Sequence, residues 1–137
     1  MGRIIALDYG TKRTGVAVTD PLKIIASPLV TLPSANLRPW MKAYLEKEFV
    51  ETIIIGMPLS LDGSETHATK PVKDIIRLLK KDFPNVPIVT VDEQFTSKMA
   101  MQTLLKSGLK KKDRQKKELI DQTAATILLQ DYLQGLV

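Results

Sequence analysis

The connections between the short apolar segments restrict the possible folds of this chain more than any other feature of its sequence. Residues 3–8 and 14–19 are strand-like segments separated only by a short turn, so they are expected to pair as an antiparallel hairpin. Residues 51–56 and 87–91 are apolar, β-branched segments separated by an amphipathic helix, which is the arrangement of a parallel crossover. A further segment, residues 24–32, is interrupted by proline and is expected at a sheet edge.

Apolar residues recur at helical spacing between and after these strands. The pattern predicts helices over about residues 37–48, 72–83, 96–106 and 116–133. The resulting order is β-β-β-α-β-α-β-α-α, with a hairpin that leads into two crossovers. This order predicts an α/β fold, in which helices cover both faces of a mixed five-stranded sheet, in one domain over residues 1–137.

The composition is that of an ordinary soluble protein, with 44% hydrophobic and 26% charged residues. The chain has no cysteine, which excludes disulfides and thiolate metal sites and suits a reducing cytoplasm. The first apolar run is too short for a signal peptide, and no later run reaches transmembrane length. We therefore expect a cytoplasmic protein without a membrane partner. No helix shows a surplus apolar face, so a monomer and a homodimer both stay open.

Positive charge is concentrated in one segment, residues 106–117, which we call the basic strip. It carries seven basic residues against one acid, a charge of +6, so the net charge of +5 leaves −1 for the rest of the chain. Such strips are common where a protein binds a phosphate backbone, although a solvated loop would look the same. Its basic residues are Lys106, Lys110, Lys111, Lys112, Arg114, Lys116 and Lys117.

Two acids follow predicted strands. Asp8 closes the first strand and Glu93 follows the strand over residues 87–91. The carboxyl ends of parallel strands are where sites gather in α/β sheets, so both side chains are candidates for one crevice. The alternatives are a turn-starting aspartate and a solvated glutamate.

A third acid, Asp121, heads an apolar helical stripe that continues through residues 124, 125, 128 and 132. A carboxylate on such a face is costly unless a salt bridge or a cation accompanies it. A position in the first turn of the helix, where negative charge is favoured, is the remaining explanation.

Three carboxylates in one crevice repel each other unless a cation lies between them. Oxygen ligands without histidine or cysteine select Mg²⁺ or Mn²⁺. Two such ions about 4 Å apart could activate water and stabilise the leaving oxygen of a phosphoryl displacement. We therefore predict that Asp8, Glu93 and Asp121 are both the catalytic residues and the metal ligands, with one or two ions.

Four segments, in this order and spacing, resemble the YqgF family of RuvX-type Holliday junction resolvases, now usually described as pre-16S rRNA nucleases. They are ALDYGTKRTGVAVTD (6–20), IIIGMPLSLDGSE (53–65), VDEQFTS (91–97) and IDQTAATILLQDYL (120–133). The resemblance implies an RNase H-like fold over nearly the whole chain and an acidic site on the same three acids. Gln94 stands where the family usually has arginine, so that residue's role does not carry over.

The turn after Asp8 supplies further candidates. Thr11, Lys12 and Arg13 could contact substrate phosphate, although a solvated hairpin turn would also explain them. The residues expected to shape the site without taking part in chemistry are Gly10, Gly56 and Pro58.

The resemblance implies a metal-dependent endonuclease for structured nucleic acid that processes the 5′ end of pre-16S rRNA. A Holliday junction resolvase is an alternative, as is a catalytically silent RNA-binding module that uses the basic strip in ribosome assembly. The string DYGTKRTGVAV also resembles the phosphate loop of actin-like ATPases, which close two such domains on a nucleotide.

Replacing Lys110, Lys111 and Lys112 with glutamine is expected to weaken nucleic-acid binding and to flatten its salt dependence. Each lost phosphate contact lowers the slope of log K against log salt by about 0.7–0.9. The measurement is fluorescence anisotropy of labelled RNA over a salt series. An unchanged slope would show that the basic strip is only solvated surface.

Overall fold

The computed structural model describes residues 2–59, 62–92 and 113–135, with side chains in the last segment described from residue 118 onward. Its strands are β1 (Arg3–Tyr9), β2 (Arg13–Thr19), β3 (Ala26–Pro33), β4 (Val50–Met57) and β5 (Ile88–Asp92). Its helices are α1 (Leu37–Lys47), which a 3₁₀ turn at Ser34–Asn36 precedes, α2 (Thr69–Asp82) and α3 (Asp113–Gly135). The helix predicted over residues 96–106 lies outside the described residues.

The strands form a single mixed sheet in the order β3-β2-β1-β4-β5. β1 pairs antiparallel with β2, and β2 antiparallel with β3, as the short turns require. β4 runs parallel to both β1 and β5. α2 is the crossover between β4 and β5, whereas β2, β3 and α1 connect β1 to β4. The predicted mixed sheet is therefore confirmed, with the proline-containing β3 at an edge.

Helices cover both faces of the sheet. Along β1, side chains alternate between the faces: Ile5 and Leu7 pack in the core formed with α1 and α2, whereas Ile4 and Ala6 pack against α3. The first core contains Leu37, Met41, Val72 and Leu79 from the helices, and the second contains Ala125, Leu128 and Leu129. Within the described part of the chain, no helix has the length and apolar character needed to cross a membrane.

Two local predictions need correction. α3 begins at Asp113 rather than near residue 116, so Asp121 lies in its third turn. The favourable charge interaction of a helix N-terminus is confined to the first turn and does not explain this aspartate. The apolar, β-branched sequence of β5 is typical of a buried strand, but its residues are partly buried or exposed because it is the last strand of the described sheet.

α3 approaches the sheet most closely at Gly15 of β2. A Cβ atom at this position would lie 2.1 Å from the carbonyl oxygen of Asp121 and 2.9 Å from the amide nitrogen of Gln122. Both neighbours are backbone atoms, which no side-chain rotation can move away. Gly15 also pairs with Asp8 across the hairpin. A glycine in this strand therefore lets the third turn of α3 lie directly beside the end of β1.

Gly15→Ala is expected to lower the free energy of unfolding by about 1–3 kcal/mol, because the added methyl group must push α3 away from β2. Urea unfolding measures the change. Gly135→Ala is the matched control, since nothing lies within 4 Å of a Cβ built there. Equal stability of the Gly15→Ala variant and the wild type would contradict the close packing.

Candidate active site

A cavity of about 400 Å³ opens at the carboxyl end of β1. Residues 8–13 form one wall, Pro58 and Ala68 another, and Asp121 of α3 completes it. A larger cavity of about 620 Å³ lies between α1 and the end of α2, but its lining, from Arg38 to Phe83, includes neither Asp8 nor Asp121. The chemistry predicted from the sequence therefore belongs to the smaller cavity.

The strand alternation of β1 directs Asp8 into this cavity. Ile4 and Ala6 face α3, so Asp8, two positions further, lies on the same face. Its cross-strand partner is Gly15, where the backbone of Asp121 makes its close approach. Directly opposed residues in a sheet lie about 4.5–5.5 Å apart, so the two acids are brought to neighbouring positions by the hairpin and by the glycine.

Asp121 is a partly buried carboxylate with a cation beside it. Its side chain keeps 18% of its surface exposed, and its Oδ2 accepts a 2.8 Å hydrogen bond from Nε of Arg13. Burial raises the pKa of Asp121; Arg13 opposes this shift, and the negative charge of Glu118 adds to it. Because the net direction is upward, ionised Asp121 is less stable here than in water even with its partner.

Arg13 begins β2 and contributes the only ion pair to Asp121 among the described residues. The sequence made Arg13 a candidate for phosphate contact, with a solvated turn as the alternative. In the structure its guanidinium binds Asp121, with 38% of the side chain still exposed. Lys12 and Thr11 are exposed beside it. The turn therefore carries positive charge at the rim of an acidic cavity.

The other predicted site residues fall into three groups. Gly10 and Pro58 line the cavity, and Gly56 lies in β4, paired with Val91. Residues outside the described part are Glu93, Gln94, Lys106, Lys110, Lys111 and Lys112. Arg114, Lys116 and Lys117 belong to α3, but their side chains also lie outside the description.

The sequence prediction missed three residues that form the site. Tyr9 and Ala68 line the cavity, and neither residue type signals such a role in the sequence. Gly15 sets the helix position, and an isolated glycine within a strand pattern is a recognisable sign of close backbone approach.

The described carboxylates alone do not complete a metal centre. Across residues 2–59, 62–92 and 113–135, no group of three acidic, histidine or cysteine side chains is placed to hold an ion. Asp8 and Asp121 supply two carboxylates to one cavity, and the third predicted ligand, Glu93, lies outside these ranges.

Sequence comparison places the chain among nucleases of one family. The family profile RuvX, described as Holliday junction resolvase, matches residues 2–135. A relative from Bacteroides thetaiotaomicron is 49% identical over 135 residues, which cover 98% of this chain and 98% of the relative. One from Flavobacterium psychrophilum is 49% identical over 133 residues, covering 97% of each. Both are named "Putative pre-16S rRNA nuclease".

Structural comparison confirms the RNase H-like fold. The structure of T. thermophilus RuvC in complex with a Holliday junction substrate matches with a TM-score of 0.59, covering 98% of this chain and 96% of that chain. The sequences are 13% identical, so this likeness concerns the fold alone.

Asp121→Asn is expected to leave the free energy of unfolding at pH 7 unchanged or to raise it by less than about 1 kcal/mol. Because the pKa of Asp121 is raised in the fold, the folded protein binds a proton there more readily than the unfolded chain. The contribution of Asp121 to stability therefore falls as pH rises from the ordinary carboxyl pKa through the raised one. Asparagine does not ionise and lacks this loss.

Urea unfolding of the wild type and Asp121→Asn, at pH values from about 3 to about 7, measures this difference in stability. Carboxyl groups titrate within this range. Arg13→Gln is the matched variant: it leaves Asp121 buried without its cation and is expected to lower stability by about 1 kcal/mol or less at pH 7. A wild type clearly more stable than Asp121→Asn at pH 7 would contradict the prediction.

Proposed function

Because the chain belongs to the RuvX family, we propose that it is a metal-dependent endonuclease that processes the 5′ end of pre-16S rRNA. The observation that carries the proposal is the convergence of Asp8 and Asp121 in one cavity beside the basic turn of residues 11–13. The acids come from β1 and α3, and the positive charge comes from the connection between β1 and β2. Acidic metal ligands beside phosphate-binding cations suit metal-assisted hydrolysis of a phosphodiester.

The two acids fit a hard divalent cation. Carboxylate oxygens are the donors that Mg²⁺ and Mn²⁺ prefer, and neither cysteine nor histidine lines the cavity among the described residues. Burial without a full counter-charge raises the pKa of Asp121, so a cation would stabilise its ionised form. We assign Asp8 and Asp121 as ligands, and Mg²⁺ as the physiological ion. When bound, the ion supplies charge stabilisation to the phosphoryl oxygens and a more acidic water.

Glu93 is assigned as the third ligand from its sequence position. Val89 and Val91 pack on the α3 side of β5, the side on which Asp8 faces the cavity. Glu93 directly follows β5 in the sequence, and the family resemblance assigns it to the acidic site. Gln94, where the family usually has arginine, has no role in the proposal.

The turn residues bind and orient the substrate. Lys12 and Arg13 place positive charge at the rim of the cavity, where the phosphates flanking the cleaved bond would lie. The Thr11 hydroxyl group can donate to a phosphate oxygen. The basic strip is assigned further phosphate contacts, which would add affinity without base recognition. A monomer and a homodimer would both present this surface, and the reaction would take place in the cytoplasm.

RNA rather than branched DNA is proposed as the substrate because the relatives that are about half identical to this chain carry a pre-16S rRNA nuclease name. The family description favours the alternative, resolution of Holliday junctions. The fold is compatible with both, since an acidic site beside cations does not distinguish ribose from deoxyribose.

The test incubates the protein with Mg²⁺ or Mn²⁺ and either a labelled pre-16S rRNA fragment or a four-way DNA junction. Cleavage of the RNA is expected, and both Asp8→Asn and Asp121→Asn are expected to slow it by about 100-fold or more. Asp74→Asn is the matched control, because Asp74 pairs with Arg77 on the exposed side of α2. Its activity should equal that of the wild type.

Three results would decide against parts of the proposal. Cleavage of the junction alone would make the protein a resolvase. Binding without metal-dependent cleavage would leave it an RNA-binding module. Equal activity of Asp8→Asn and Asp74→Asn would remove the acidic cavity from the reaction.

A further inference from the structure

Two buried hydroxyl groups lie beneath the turn that joins β1 to β2. Thr14 is fully buried, and Ser34, in the 3₁₀ turn after β3, is 7% exposed. Their oxygens are 2.8 Å apart, and Oγ of Ser34 also donates a short hydrogen bond to the carbonyl oxygen of Gly10. Since a serine hydroxyl has one hydrogen, Thr14 is the donor within the pair. The hydrogen bonds therefore run from Thr14 to Ser34 to the turn.

Ser34 holds the turn at a second point. Its backbone N–H donates to the carbonyl oxygen of Lys12 at 3.0 Å, while the Gly10 N–H donates to the carbonyl oxygen of Arg13 at 2.8 Å. The carbonyl groups on both sides of Thr11 are thus bound by one residue. The turn cannot shift or rotate without breaking at least one of these hydrogen bonds.

Core packing alone does not require these hydroxyl groups. Thr14 lies two positions before Val16 in β2, so it faces the same side of the sheet, the side that packs against α1 and α2. A valine would fill the same space without a polar group that must be satisfied. Among the described residues, these two hydroxyl groups bond to each other and to the carbonyl oxygen of Gly10 in the turn. The hydrogen bonds of these hydroxyl groups therefore act on the conformation of the turn.

We propose that Thr14 and Ser34 are positioning residues that fix the backbone of residues 10–13, so that Lys12 reaches a phosphate of the nucleic-acid substrate. This inference rests on the proposed function only in taking nucleic acid as the ligand. A fixed backbone leaves only the Lys12 side chain to be ordered on binding, which reduces the entropic cost of the contact. The hydroxyl groups themselves touch no substrate.

The test measures binding of the labelled pre-16S rRNA fragment in EDTA, so that cleavage does not interfere. Lys12→Gln is expected to reduce affinity and to lower the salt slope by about 0.7–0.9, the value for one phosphate contact. Ser34→Ala is expected to weaken binding about 3–10-fold, on the order of the net contribution of one hydrogen bond, with a similar fall in slope. The double variant should match Lys12→Gln alone, because Ser34 acts through Lys12.

Two further variants separate positioning from stability. Thr19→Ala removes an equally buried threonine at the other end of β2, whose Oγ1 accepts the N–H of Ile4 at 2.9 Å. It is expected to lower the melting temperature without changing the salt slope. Thr14→Val keeps the side-chain volume, should fold, and is expected to lower the slope as Ser34→Ala does, whereas Thr14→Ser should restore it.

Additive effects of Ser34→Ala and Lys12→Gln would overturn the inference. A wild-type salt slope in both Ser34→Ala and Thr14→Val, or an equal loss in Thr19→Ala, would also overturn it. Because binding is measured without metal, the result is independent of cleavage. A protein that binds as expected but cuts no substrate would disprove the proposed function and leave the positioning role intact.

Discussion

The close approach of α3 to β2 at Gly15 is the constraint on which the site depends. A methyl group there would meet the backbone of Asp121 at 2.1 Å, so any other residue would move the helix outward. Because Gly15 also pairs with Asp8, a single contact sets both the packing of α3 on the sheet and the proximity of the two acids. Stability and site geometry therefore share one structural determinant, and a substitution that loosens the packing also separates the acids.

The negative charge of Asp121 lowers the stability of the folded protein. Burial disfavours ionised Asp121, and the ion pair with Arg13 compensates only in part, as the upward direction of the pKa shift shows. A carboxylate kept at such a position is typical of functional sites, where the ligand completes the electrostatic balance. Arg13 also belongs to the turn proposed to bind substrate, so in that proposal the guanidinium that binds Asp121 would also face the substrate phosphate. Its ion pair is one of the contacts that cation binding and substrate binding would change.

The turn between β1 and β2 is hydrogen-bonded to a residue from a different connection, the one between β3 and α1. Ser34 lies just after β3, yet it binds the turn through its hydroxyl and its backbone amide. Thr14 supports it from within the core. The 3₁₀ turn after the edge strand β3 thus supports the residues that line the cavity without lining it itself.

The order of the described elements, the mixed sheet and the edge position of β3 could be predicted from the sequence, because turn lengths, strand alternation and helical periodicity are local properties. The same local patterns identified Asp8 and Asp121 as unusual. The first-turn explanation for Asp121 was wrong, because helix starts are weakly marked in a lysine-rich segment. Only the tertiary structure decided the partners: Arg13 and Asp121 are 108 residues apart, and Ser34 and Gly10 are 24 apart. Such contacts depend on how closely two backbones approach, which no local pattern encodes.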